Sequence, residues 1–319
     1  MFQVATGLLI AAAVASIGYQ VAAQWDVLRH GPATWYWPLW IAAGLLLDLY
    51  WFYQILLWRR IMSMLGSRVD WSVAVRLFFI SNLLAYIPGK VANVLGVAAF
   101  AHRYRISAVH AGATVVLLQI YSLLSGVLLI AVAWALWPEA LQRVFPSGTM
   151  PALLVIAGIG LLVVCSPLLD VCVRWLLRCM GRPVVAIGLS PSRHLCNVGQ
   201  YLGGWVLPGA SLWCVVVSFL PQDVVWPPVL GVTAIFIGSY LLGLIAVLMP
   251  AGLGVTEAGL IFGLTRYCGT AHAVWGAVVL RGLILLTTIL PLCILLLRAR
   301  VGKTRSSPEQ AMLSKEEAI

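Results

Sequence analysis

The stretch NLLAYIPGKVANVLG, residues 82–96, contains Lys90, one of only three lysines in the chain; the others, Lys303 and Lys315, lie near the C-terminus. An ammonium group directly after a helix-breaking Pro88-Gly89 pair, inside an apolar run, is suited to binding an anion. A half-helix that starts after such a break presents free N–H groups and a partial positive charge. Lys90 adds a full charge at the same end, which is unfavourable unless an anion or a carboxylate is close. Gly89 and Lys90 therefore read as substrate-binding residues for an anion. The alternative is that Lys90 snorkels to the surface or pairs with an internal acid. Asn82 and Asn93 flank the break, where they can cap freed backbone groups, and Asn93 is also a candidate contact to substrate.

A second break, MPAGLGVTEAG at residues 249–259, carries Gly252, Gly254 and Glu257. A carboxylate in the first turn of a half-helix is partly stabilised by the helix dipole. Arg281 falls about ten residues into the last apolar segment, where a charge costs roughly 2.5–3.5 kcal/mol on insertion scales. Glu257 and Arg281 either neutralise each other or serve binding and gating. Asp48, in LLLDLYWFYQ, is the other deep acid; it faces Lys90, relays protons, or makes a structural pair. His110 and His272 begin their apolar segments and could titrate near neutral pH if transport is coupled to protons. There is no H-x-x-x-H, C-x-x-C, Walker-type loop or G-x-S-x-G, so no metal, cofactor, nucleotide or serine-hydrolase chemistry is expected.

The elements that must position these residues are membrane helices. The chain is 62% hydrophobic, has a mean hydropathy of +1.00, and only 9% of its residues are charged. A soluble domain carries about 25% charged residues, so an integral membrane protein is expected and a soluble enzyme is excluded. The net charge of +10 belongs to loops rather than to a nucleic-acid surface. The first segment, VATGLLIAAAVASIGYQVAA, reads as a retained helix rather than a cleaved leader. Continuous apolar spans are expected near 4–22, 38–58, 107–137, 150–173, 197–220 and 271–297. Two more segments, 73–101 and 229–264, are interrupted at the breaks. Cys165, Cys172 and Cys179 repeat every seven residues, which would put them on one helical face as small packing side chains.

Orientation follows the basic residues in short loops. Arg59, Arg60 and Arg68 precede the first broken segment, and Arg103 and Arg105 follow it. If both flanks are cytoplasmic, 73–101 enters and leaves from one side as a re-entrant hairpin, and 229–264 does the same from the opposite side. Sliding the chain by 162 residues places Pro88 on Pro250, Phe100 on Phe262 and His110 on His272, with Gln119 meeting Arg281. Three crossings separate the breaks, so the repeats would be inverted, as in transporters whose sites lie at discontinuous helices. The expected fold is an all-α polytopic membrane protein with six full spans and two opposed re-entrant broken-helix hairpins in an inverted repeat. It forms a single transmembrane domain over 1–297, with repeat halves at 71–137 and 229–297, and a polar cytoplasmic tail over 298–319. Both termini would be cytoplasmic. A plain eight-span layout remains the alternative.

With IPGKVANVLG and MPAGLGVTEAG together, the chain resembles the lysylphosphatidylglycerol synthase transmembrane-region family, also described as flippase-like proteins. The resemblance covers nearly the whole chain. It places Lys90 at the family's P-G-K lysine and Glu257 at the glutamate of its P-G-G-L-G-x-x-E motif. Gly252, Leu253 and Gly254 stand at the G-L-G, and Ala251 replaces the usual glycine. Family members that make aminoacylated lipid add a soluble transferase domain after the membrane part, and none follows here before residue 319. The resemblance implies a translocator of an anionic phospholipid or a polyprenyl-phosphate-linked headgroup in a bacterial inner membrane, and not an enzyme. Membrane lipid is the expected partner, along with a candidate partner enzyme of lipid modification and no nucleic acid. Two other readings stay open: a membrane subunit or enzyme of lipid-linked sugar or aminoacyl transfer, and an ion-coupled small-solute transporter.

Overall fold

Apolar runs of this length bury their backbone polar groups by coiling, because lipid offers those groups no partner. The computed structural model describes residues 25–29, 36–84, 91–104, 106–142, 144–146, 148–179, 188–220, 226–246 and 252–316, with positions 18 and 22. Among the described residues the regular structure is helical, without strands. The expected first span, 4–22, lies almost wholly outside the described residues.

Three helices are long and uninterrupted. Helix α1 spans Trp37–Met64, with proline in its first turn, where the missing N–H costs nothing. Ahead of α4, two shorter helices follow α1: α2, Trp71–Leu84, and α3, Val91–Arg103. Helix α4 spans Ala108–Leu136 and is capped by Ser107, whose hydroxyl accepts the His110 N–H at 3.3 Å. After it come α5, Thr149–Cys165, and α6, Leu168–Cys179. Helix α7 spans Pro191–Val217 and again starts on proline. At 1.5 Å per residue such helices reach about 40 Å, enough for a hydrocarbon core of about 30 Å. Last come α8, Val229–Ile245, and α9, Val255–Glu316, and single helical turns lie at Trp25–Leu28 and Pro138–Gln142. Among the described residues four helices are long and apolar enough to cross a membrane, or five if one bent pair counts as a span.

That bent pair corrects the expected continuous span over 150–173. Helix α5 stops at Cys165, and α6 leaves it at 85°. Ser166 is extended (φ −108°, ψ 166°), as the residue before Pro167 prefers to be. Helix α6 is amphipathic. Leu169 and Val173 are buried, Trp175 and Val171 are exposed, and Asp170 pairs with Arg174 at 2.5 Å. The seven-residue cysteine pattern is corrected by the same bend: Cys165 belongs to α5 and Cys172 and Cys179 to α6, so the three do not share one helical face.

The interrupted segments are built from short arms. Helices α2 and α3 have 14 and 13 residues, about 20 Å each, too short to cross. They pack on one another, with Gly96 against Leu84, so closely that a methyl at 96 would overlap the leucine. The second pair is closer still. Gly243 of α8 lies on Thr256 and on Gly252 just before α9, Ser239 on Gly259, Ile235 on Gly263, and Gly231 by Tyr267. Each step moves four residues back on α8 and about four forward on α9, so these arms run antiparallel along a seam of small residues. The boundary expected between 264 and 271 falls at a kink where two helices meet. Helix α9 runs on from the second arm and turns at Gly269 (φ 75°, ψ 164°), a conformation that suits glycine alone.

Helix α7 is the hub, packing on α1, α4, α8 and α9. Pro208 lies in its interior, and Gly209 beside it leaves room for Thr233 of α8. One core joins Trp58 and Met62 of α1 to Leu77 and Leu83 of α2 and Val97 and Ala101 of α3. Another joins Leu212 and Val216 of α7 to α8 and α9 through Ile237, Leu260 and Leu264.

Candidate functional site

The second break is where the structure gathers charge. Helix α9 starts after Gly254, whose carbonyl accepts the Ala258 N–H at 2.9 Å, so Gly254 is the N-cap and Glu257 stands three residues in. Glu257 Oε2 reaches back to accept the Gly254 N–H at 2.7 Å. This is the returning half of a capping box, and it satisfies one of the donors a helix start leaves free. The other oxygen, Oε1, lies 3.4 Å from Arg281 Nε, without hydrogen-bond alignment. Both residues are interior, Glu257 at 7% and Arg281 at 9% exposed. The carboxylate is thus held on one side by backbone and faced on the other by a guanidinium twelve residues past the Gly269 turn.

The glycines of the motif make this approach possible. Gly252 (φ 68°) and Gly254 (φ 80°) are both in the left-handed region. A Cβ on Gly252 would meet the Gly243 carbonyl at 2.9 Å and Thr256 Oγ1 at 2.8 Å, so the turn can close only on glycine. Gly254 faces open space, and its requirement is conformational only.

The other residues singled out from sequence are dispersed. Gly89 and Lys90 lie outside the described residues, between Leu84 and Val91; Asn93 is in the first turn of α3, with its side chain outside the description. Asp48 is on the exposed side of α1 with Leu45 and Phe52, and the structure does not bring it to Glu257 or Arg281. His110 contacts Ser67 Oγ through Nδ1 at 2.6 Å, tying the start of α4 to the loop after α1. His272 Nδ1 lies 3.0 Å from the Cys268 carbonyl, one of the groups released by the turn at Gly269. Both histidines therefore hold helix junctions, and neither joins the Glu257–Arg281 pair.

Sequence reasoning missed a second cluster, uncharged and built by four helices. Tyr53 of α1 donates to the Gln200 carbonyl of α7 at 2.8 Å. Tyr121 of α4 meets His194 Nδ1 of α7 at 2.6 Å. Trp205 donates to Ser125 Oγ at 3.0 Å and stands edge-on to Tyr240 of α8, with centroids 5.1 Å apart. The side chains of Gln119 and Ser122 lie beside the Tyr240 hydroxyl. One signal pointed here: Gln119 is the 162-residue mate of Arg281. The tyrosines carried none, since in apolar spans they read as packing. Arg76, half-buried in α2, was also passed over.

A family model described as the lysylphosphatidylglycerol synthase TM region matches residues 3–291. The match takes in both breaks, the Glu257–Arg281 pair and the uncharged cluster. No curated protein sequence matches the chain.

Proposed function

We propose a function from one premise: the chain belongs to the lysylphosphatidylglycerol synthase TM-region family and is an integral membrane protein. It is a flippase-like translocator of an anionic phospholipid or polyprenyl-phosphate-linked headgroup across the bacterial inner membrane. It acts as a carrier and not as an enzyme. Membrane lipid is its partner, and an enzyme of lipid modification would supply or consume that lipid.

The observation that carries this reading is the buried Glu257–Arg281 pair at a helix break. Burying two charges costs several kcal/mol per ion, so such a pair is a poor device for stability alone. It works as an exchangeable lock. An anionic headgroup can take the Arg281 guanidinium from Glu257, while Glu257 remains held by the Gly254 N–H. Charge-assisted, bidentate contacts to phosphate favour that exchange. Lys90, at the other break, offers the second cationic point, and Gly89, Gly252 and Gly254 let backbone approach the headgroup.

The layout that suits this action is an inverted repeat of two opposed re-entrant hairpins. Support comes from the antiparallel seam of α8 and α9, from arms too short to cross, and from the shared order of elements. In each half, arm, break, arm and turn precede a long helix, and the turns fall at Ser107 and Gly269, 162 residues apart. The reading puts both termini in the cytoplasm. A cysteine replacing Arg103 should then react with an impermeant maleimide from the cytoplasmic side only; labelling from outside restores eight plain spans.

The binding test uses phosphatidic acid, titrated onto the purified chain. Lys90→Ala and Arg281→Gln should each weaken binding by about 1.5–3 kcal/mol, the size of a charged hydrogen bond. Lys90→Arg should keep part of it, limited by the planar guanidinium. Unchanged affinity in both Lys90→Ala and Arg281→Gln, with normal melting, would remove the anion site.

A further inference from the structure

Helix α6 carries three stripes. At about 100° per residue, Leu168, Cys172, Trp175 and Cys179 fall along one side, Leu169 and Val173 along a second, and Asp170, Arg174 and Arg178 along a third. The second stripe faces the bundle: Leu169 and Val173 are buried in a core with Ile61 of α1 and Val198 of α7. The first stripe is apolar and faces outward, with Leu168 at 56% and Trp175 at 62% exposed. Val171, also exposed, widens it. The third is charged, with Asp170 on Arg174 at 2.5 Å and Arg178 exposed one turn further on.

The direction of α6 says what lies against its outer stripe. Helix α5 shows Leu154, Val155, Ile159 and Leu162 on its outside, the surface of a helix among acyl chains. Helix α6 turns from it by 85°, so with α5 across the bilayer α6 runs along the bilayer plane. Its 12 residues span about 18 Å, with tryptophan on the apolar side and arginine on the polar side, the pattern of a helix lying between acyl chains and headgroups.

The end of the bundle beside α6 is basic. The Ser67–His110 contact joins the end of α1 to the start of α4, and Arg60 Nη2 donates to Cys196 Sγ at 3.5 Å, joining α1 to the start of α7. Through Ile61 and Val198, α6 packs on this same end. Exposed Arg60, Arg68 and Arg193 thus stand at the end that carries Arg174 and Arg178, and the acids there are Asp70 and Asp170. An excess of arginine at a membrane surface draws anionic headgroups.

We propose that α6 is an interfacial helix that binds anionic lipid, its outer stripe seated in the acyl chains and its arginines on the headgroups. This goes beyond the translocation reading, because α6 enriches anionic lipid beside the bundle whether or not that lipid is then moved.

The test puts a bimane on Cys172, in the outer stripe, with the other six of the seven cysteines changed to alanine. The full chain is reconstituted in equimolar phosphatidylglycerol and phosphatidylcholine, with bromine on the acyl chains of one lipid or the other as quencher. Both brominated lipids should quench, and the phosphatidylglycerol form should report about fivefold enrichment, the attraction of roughly one arginine at an anionic surface. Arg174→Gln combined with Arg178→Gln should bring the two lipids close to parity, and so should about 1 M salt, which shortens the screening length to about 3 Å. Spin-labelled phosphatidylglycerol and phosphatidylcholine, applied to the unlabelled wild type and to the double arginine variant, repeat the comparison without cysteine changes. Absence of quenching by either lipid would place protein, such as a second copy of the chain, over the outer stripe and overturn the proposal. Equal quenching by both lipids in the wild type would leave α6 in lipid without headgroup choice, and would overturn it too.

Discussion

Residues 119 and 281 stand at matching points of two segments offset by 162 residues, yet their surroundings differ in kind. Arg281 on α9 faces a carboxylate that is itself fastened to the start of a helix. Gln119 on α4 stands among tyrosines and serines with no ionised partner, and its amide nitrogen is unsatisfied. On the proposed repeat, one backbone frame hosts two chemistries. The charged position must be neutralised within the protein when empty, because an isolated ion in low dielectric is prohibitive. The uncharged position can wait with an open hydrogen bond, at a cost of about 1–3 kcal/mol.

Exchanging the two characters should produce the largest effect. Gln119→Arg would place a cation where no carboxylate waits, and Glu257→Ala would take the carboxylate from Arg281 and remove the return bond to Gly254. Each should cost about 3–5 kcal/mol, read as a fall in Tm of the purified protein. Glu257→Gln keeps an acceptor at the third helical position, so combining it with Arg281→Gln should recover part of the loss of either single change. Strictly additive losses would separate the two residues.

The glycines sharpen the comparison at the next level. Gly252→Ala meets both left-handed strain and the Gly243 backbone, and should destabilise by about 2–4 kcal/mol in a thermal melt. Gly254→Ala meets strain alone, about 1–2 kcal/mol. If the two were equal, the contact with Gly243 would not govern the turn.

The paired histidines should respond least. His272→Ala removes a bond to a carbonyl exposed by the Gly269 turn, and should cost about 0.5–1.5 kcal/mol in the same melts. His110→Ala should cost a similar amount by freeing Ser67. Loss of transport in either variant without a change in stability would support the expected coupling role of the histidines.

These contrasts also separate what could be read in the sequence from what could not. Apolar runs announced the long helices, and Pro-Gly and Pro-Ala-Gly marked both breaks, because chain-breaking residues act locally. The pairing of Glu257 with Arg281 was legible because two charges in apolar segments have few alternatives. The 85° bend at Ser166-Pro167 was not, because the run stays apolar across it and Arg174 and Arg178 read as loop residues. The side that Asp48 takes was not legible either: an acid in the middle of a span can face either way, and only the packing of α1 puts it with Leu45 and Phe52 among the described residues. The tyrosine cluster was invisible because its members are spread over four helices and meet only through tertiary packing.

The central claim is that the Glu257–Arg281 lock moves anionic lipid between leaflets, and one measurement tests it directly. Liposomes containing a fluorescently labelled phosphatidylglycerol are reconstituted with the full chain, and an impermeant quencher reports the label left in the inner leaflet. The account predicts that the wild-type protein speeds exposure of the inner pool. It also predicts that the doubly neutral Glu257→Gln, Arg281→Gln protein, folded and equally incorporated, leaves the rate at that of protein-free liposomes. Equal rates for the wild-type and doubly neutral proteins would contradict it.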